Sequence, residues 1–136
     1  MALASSLTQT SPVPVARIGR IALWALQIGL AGMFLLAGSS KLLGAPEMVG
    51  LFEAIGIGQW FRYVTGLIEV SAALSLLVPS LSVFGASALA ATMVGAIATH
   101  LFIVGGSPAL PTILLLGSAG VVWVKRDQIA SLIRRA

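Results

Sequence analysis

The chain has 136 residues, of which 58% are hydrophobic and 9% charged. A soluble globular domain is about 45–50% apolar and about 25% charged, so the composition excludes an ordinary soluble fold and points to an integral membrane protein. The net charge of +4 does not point to nucleic acid, because the basic residues sit at the ends of apolar segments, where they orient spans and meet anionic headgroups. Cysteine is absent, which excludes disulfides and thiolate metal sites. At this length one membrane domain is expected, with room for about four spans of roughly 20 residues.

Residues 1–16 are small, polar and carry Pro12 and Pro14; they read as a disordered tail. Arg17 and Arg20 then precede an apolar run that predicts a first span over residues 21–43, with Lys41 at its end. Leu36-Ala37-Gly38-Ser39 has the small residues of a cleavage site. The run is nevertheless longer than the apolar region of a secretory signal, so a retained membrane helix is expected. Gly44-Ala45-Pro46 breaks this helix and places Pro46 to begin the next. Met48, Leu51, Phe52 and Ile55 recur at helical spacing with Glu47 and Glu53 off the stripe. This predicts a short amphipathic helix lying in the membrane interface, ended by Gly56 and Gly58.

A second span is expected over residues 60–78. Trp60 and Tyr63 would form an interfacial aromatic belt, Arg62 would snorkel to headgroups, and Pro79 would stop the helix. The third span, residues 81–104, is rich in small side chains such as Gly85, Ala86, Ala88 and Gly95. Small residues permit close packing in lipid, which predicts that this is the most buried helix. Gly105-Gly106 ends it. Ser107 reads as an N-cap with Pro108 in the first turn of a fourth span, residues 109–124, which is short for a bilayer core of about 30 Å. Residues 127–136 form a basic C-terminal segment, and Ile129, Leu132 and Ile133 would lay it on the membrane surface.

The expected fold is therefore all-α: a four-helix transmembrane bundle within residues 17–126, with an interfacial amphipathic helix between the first and second spans. Arg17, Arg20 and the four C-terminal basic residues lie on one side, and Lys41 and Arg62 on the other. That imbalance predicts a multi-pass protein of the cell (inner or plasma) membrane with both termini cytoplasmic.

Chemistry concentrates around the start of the second span. Arg62 and Glu69 are two helical turns apart, so they share a face, with Thr65 and Gly66 between them. A carboxylate at that depth costs roughly 3 kcal/mol on insertion scales, so Glu69 is expected to face other helices or a wet cavity with a cation as partner. Antiparallel packing would bring Lys41, Arg62, Glu69 and His100 to similar depth. These four make a candidate polar pocket, with Thr65 and Thr99 in a second rank. Each has a plain structural alternative. Lys41 and Arg62 would be interfacial anchors, Glu69 would pair with one of them, and His100 would be hydrogen-bonded packing. Thr65, Thr92 and Thr99 would bond local carbonyls. One histidine and one intramembrane carboxylate do not make a metal site, and Met33, Met48 and Met93 read as core or interface. No nucleotide loop or serine triad is present, and no intrinsic cofactor motif is evident.

Ser40-Lys41-Leu42, the Phe52-containing segment, Arg62-x-x-x-Gly66-x-x-Glu69, the Ala/Gly-rich third span and His100 near its end follow one another in a fixed order. Together they resemble the DoxX-like family of small four-helix membrane proteins over about residues 18–125. The arginine–glycine–glutamate run is the most specific part. The resemblance implies a membrane location, four helices, and Lys41, Arg62, Glu69 and His100 as the polar positions of the bundle. The name-giving relatives are linked to a thiosulfate:quinone oxidoreductase complex, and others to oxidative-stress membrane complexes or membrane-protein assembly. A redox role for this chain rests on analogy.

Two leading functional readings stay open beside a weaker third, proton or anion transport by an oligomer, and whether the protein is an enzyme is not fixed by the leading two. In the first, it is a small subunit or assembly factor that docks a membrane-protein partner, or a further copy of itself, and helps position a quinone or lipid. In the second, the polar pocket binds a quinone-like apolar molecule, with Glu69 and His100 exchanging protons and Arg62 or Lys41 holding a carbonyl. The bilayer is the common partner of both, and neither involves nucleic acid.

Overall fold

The computed structural model describes residues 15–135, and every regular element among them is helical. Helix α1 runs over Val15–Leu42, α2 over Pro46–Ile55, α3 over Gln59–Leu76, α4 over Ser82–Thr99, α5 over Ala109–Val124 and α6 over Arg126–Arg135. A π-helical stretch, His100–Val104, continues α4. The expected tail falls largely outside the described residues, but Val15 and Ala16 already belong to α1. The helix thus starts well before its apolar run, because Arg17 and Arg20 are good helix formers and extend it.

Among the described residues, two helices are long and apolar enough to cross a membrane: Ala16–Leu42 and Ser82–Val104. A third is obtained if α5 and α6, bent by 49° at Lys125, are counted together. With 16 residues, α5 alone reaches only about 24 Å at the usual helical rise. The 18 residues of α3 carry Arg62 and Glu69 on the side that faces the other helices.

The chain winds up and down. α1 packs along α3, α3 along α4, and α4 along α5, while a lighter α1–α5 contact closes the ring. Neighbours are antiparallel: Gln27 reaches Leu76 and Lys41 reaches Glu69, so rising numbers on α1 meet falling numbers on α3. Phe34, Leu76, Val83, Leu89 and Val121 are fully enclosed at the centre. The outward faces carry large apolar side chains, among them Leu36, Leu67, Phe102 and Leu116, as lipid-facing helices do.

Helix α2 matches its sequence pattern. Pro46 occupies its first turn, Phe52 is buried, and Gly56 ends the helix in the left-handed region at φ 81°. Phe52 packs edge-on against Phe61, and the Gln59 amide donates to Val49 O at 3.1 Å, which fastens α2 to the start of α3. At α5, the Ser107 hydroxyl accepts from the Ala109 N–H at 3.2 Å, while Pro108 itself occupies the cap position. The helix starts at Ala109 as expected, and only the cap moves, from Ser107 to Pro108.

The expectation that the small-residue span is the most buried helix is overturned. α3 and α4 contribute the same number of buried residues, six each. In α4 all six lie between Ser82 and Met93, and the π-helical stretch has none. The small residues do their packing at one end only. A Cβ at Gly85 would come within 2.6 Å of Ala72 O and 2.9 Å of Ser75 Cβ. Nothing approaches a Cβ at Gly95 within 4 Å.

The far end of the bundle is tied by polar contacts onto the α3–α4 turn. Lys125 Nζ donates to the buried Ser82 hydroxyl, which itself donates to Pro79 O. Gln128 Nε2 also donates to Pro79 O, at 3.2 Å. Burial pulls the Lys125 ammonium below the ordinary lysine range.

Candidate functional site

The residues around Glu69 form a layered lock between α1 and α3. Close approach comes first. A Cβ on Gly38 would lie 2.8 Å from Val70 Cγ2 and 2.9 Å from Gly66 O. A Cβ on Gly66 would lie 3.0 Å from both Gly38 O and Lys41 Cβ. Only glycine at both places lets the backbones meet here, the use lipid-embedded helices make of small residues. That proximity sets the reach of the next layer. Lys41, one turn beyond Gly38, extends its Nζ to Glu69 Oε2 at 2.9 Å. The Glu69 side chain is 1% exposed and that of Lys41 is 12% exposed. Lys41 is therefore not an interfacial anchor, and its charge turns inward to the carboxylate.

Arg62 forms the third layer. It is 5% exposed, so the expected snorkelling to headgroups is also overturned. Its Nη1 donates to Lys41 O, its Nε donates to Gln59 Oε1 at 2.7 Å, and its guanidinium lies over the Tyr63 ring at 4.3 Å. The reason lies at the end of α1. Gly44 sits at φ 73°, and the Gly44 and Ala45 N–H groups turn back to Lys41 O and Ser40 O. This is the glycine-terminated Schellman ending of a helix. The last carbonyls carry the negative end of the helix dipole, and a guanidinium there is favourable. Arg62 thus caps α1 from α3, while Lys41 of α1 neutralises Glu69 of α3. Each helix supplies the other's counter-charge.

The remaining candidates lie apart from this lock. His100 is half-buried at the head of the π-helical stretch, and its Nδ1–H donates to Ala96 O at 2.9 Å. That stretch packs against α2. Thr65 donates to Phe61 O, Thr92 to Ala88 O and Thr99 to Gly95 O, each within its own helix. So the structure brings Lys41, Arg62 and Glu69 together and leaves His100 outside their hydrogen-bond network.

Several participants escaped the sequence reading. Gln59 orients Arg62, and its signal was the three-residue spacing between them. Gly38 looked like part of a cleavage site, yet it is a packing contact. Gln27, an amide inside an apolar run, is fully buried and donates to Leu76 O at 2.6 Å. Its Oε1 has no partner among the described residues, and neither does the buried Ser118 hydroxyl. No group of three or more potential metal ligands occurs among the described residues.

Among the described residues, troughs open on two flanks of the bundle. One runs between α3 and α4 and is lined by Leu67, Ser71, Ala72, Ser75, Gly85 and Ala88 with neighbouring apolar residues. The other lies between the start of α1 and the end of α5. Neither is lined by the Lys41–Glu69 pair.

Apolar outward faces around a charge pair enclosed between helices define a multi-pass membrane protein. The sequence pattern of the DoxX-like family matches residues 25–124, and the chain belongs to that family. No curated protein and no solved structure matches it.

Proposed function

We propose that the protein is a four-span small subunit or assembly factor of a cell-membrane complex, docking a membrane-protein partner without catalysing a reaction itself. The observation that carries this reading is the partnering of Glu69. Its carboxylate is enclosed to 1% exposure and committed to Lys41 at 2.9 Å. A buried charge held in this way joins helices and fixes their register. The open trough between α3 and α4, floored by small residues, suits the close approach of a partner's transmembrane helix. In this proposal the end of the bundle where α1 begins and α5 and α6 finish faces the cytoplasm, because six of the eight basic residues, all but Lys41 and Arg62, belong to it. α3 counts as a span in this proposal because it lies along α1 and its charges face inward.

Affinity purification from native membranes tests it, wild type beside Ser71→Phe, which fills the trough from an exposed position. A partner that co-purifies with wild type and is lost with Ser71→Phe is the expected result. Monomer alone from wild-type membranes contradicts it.

One observation favours a second reading, a binding site for a quinone-like apolar molecule. His100 opens a π-helical stretch, and such stretches are frequent at functional sites. With Nδ1–H committed to Ala96 O, Nε2 is the acceptor nitrogen of the neutral ring. An unchanged quinone titration in His100→Ala removes this reading.

A further inference from the structure

The trough between α1 and α5 has a different character from the one between α3 and α4. It is lined by Ala16, Gly19, Ala22, Leu26 and Val124, with Arg20 as its one charged residue. It exists because the first two turns of α1 carry small side chains on the face turned to the end of α5. Nothing approaches a Cβ at Gly19 within 4 Å. Of the eight basic residues in the chain, six gather at this end: Arg17, Arg20, Lys125, Arg126, Arg134 and Arg135. Among the described residues Asp127 is the one carboxylate there, since Glu47, Glu53 and Glu69 belong to the opposite half.

Two of the cations are already engaged. Lys125 donates to Ser82, and Arg126 donates to Trp123 O while its guanidinium stacks on the Trp123 ring at 4.4 Å. Arg20 instead lines the apolar trough, on an exposed stretch of α1. An open apolar trough along the flank of membrane helices, with an arginine in its wall and a basic surface around it, matches one class of molecule. That class has a hydrocarbon chain continuous with an anionic head.

We propose that this trough is a binding site for an anionic phospholipid. One acyl chain lies along Gly19, Ala22 and Leu26, and the phosphate meets the Arg20 guanidinium. The small residues give the chain room and Arg20 gives the charge preference; a guanidinium holds phosphate oxygens in a fork geometry that lysine lacks. The site sits on the opposite side of the ring from the α3–α4 trough, so it does not depend on what docks there.

Native mass spectrometry of delipidated protein tests the site, by titration with phosphatidylglycerol and phosphatidylcholine of matched chains. Wild type is expected to hold phosphatidylglycerol more tightly. Arg20→Gln is expected to weaken phosphatidylglycerol about fivefold, the worth of one basic contact with an anionic headgroup, and to leave phosphatidylcholine unchanged. Gly19→Leu fills the trough and is expected to weaken both lipids. Both changes fall on an exposed helix face, so helicity should stay at the wild-type level. Equal affinity of wild type for the two lipids overturns the proposal. So does wild-type binding in both variants, or a loss that appears only on replacing Arg134 and Arg135, which would mark a diffuse basic surface instead of a site.

Discussion

Lys41→Met isolates the central interaction, because it removes the cation and keeps the length of the side chain. Glu69 would remain at 1% exposure, held there by the Gly38–Gly66 contact that pins α1 to α3. A carboxylate without a partner at that depth must take up a proton or drag the helices apart. Protonating a carboxyl of ordinary pKa, about 4.3, at pH 7 costs about 3.7 kcal/mol at about 1.36 kcal/mol per pH unit. This sets a ceiling near the cost of about 3–5 kcal/mol for breaking a buried pair. The sign follows directly. The cost of taking up a proton shrinks as pH falls, to about 1 kcal/mol at pH 5, so the variant should approach wild type in acid.

Glu69→Leu should be milder than Lys41→Met, since Lys41 is already 12% exposed and its stem can carry the ammonium to the interface. The double variant Lys41→Met/Glu69→Leu should lie closer to wild type than Lys41→Met alone, because an apolar pair of similar volume carries no stranded charge. Reversible unfolding in mixed micelles, followed by circular dichroism at several pH values, measures all four proteins. Additive losses in the double variant, or a Lys41→Met penalty that does not change with pH, refute the reasoning.

Other perturbations separate the layers of the lock. Gly38→Ala puts a methyl 2.8 Å from Val70 Cγ2 and 2.9 Å from Gly66 O, and should cost about 1–3 kcal/mol in the same assay. Gly95→Ala, where nothing lies within 4 Å, should be neutral or slightly stabilising. Arg62→Lys should lose most of what Arg62→Ala loses, about 2 kcal/mol, because a single ammonium cannot reach Lys41 O and Gln59 Oε1 while stacking on Tyr63. Thr99→Val should leave melting within about 0.5 kcal/mol of wild type, since its hydroxyl only bonds Gly95 O in its own helix.

The helices were largely legible in the sequence, because their ends carry strong local signals. Pro46, Gly56 and Gly105 mark boundaries by backbone chemistry alone. The pairing of Glu69 was legible as a need, since a carboxylate two turns into an apolar helix requires a cation. Which cation served was not legible. Lys41 and Arg62 both stood at span ends, where either could have reached water. The choice depends on the Gly38–Gly66 contact between helices 28 residues apart at the ion pair, and the period of one helix does not encode its rotation against another. The same limit misplaced the burial of the small-residue span. Gly85 meets Ala72 and Gly95 meets nothing, although the two glycines look alike in the sequence. The π-helical stretch at His100 had no sequence signature that separated it from the α-helix it extends.

The measurement that bears most directly on the proposed role is mass spectrometry of protein released from lipid nanodiscs, wild type beside Glu69→Gln, recording proteins and small molecules together. A helix-joining role for the Lys41–Glu69 pair predicts a stoichiometric protein partner with wild type and no small molecule whose presence depends on Glu69. A quinone or other small ligand that is bound by wild type, absent from Glu69→Gln and accompanied by no protein partner would contradict it.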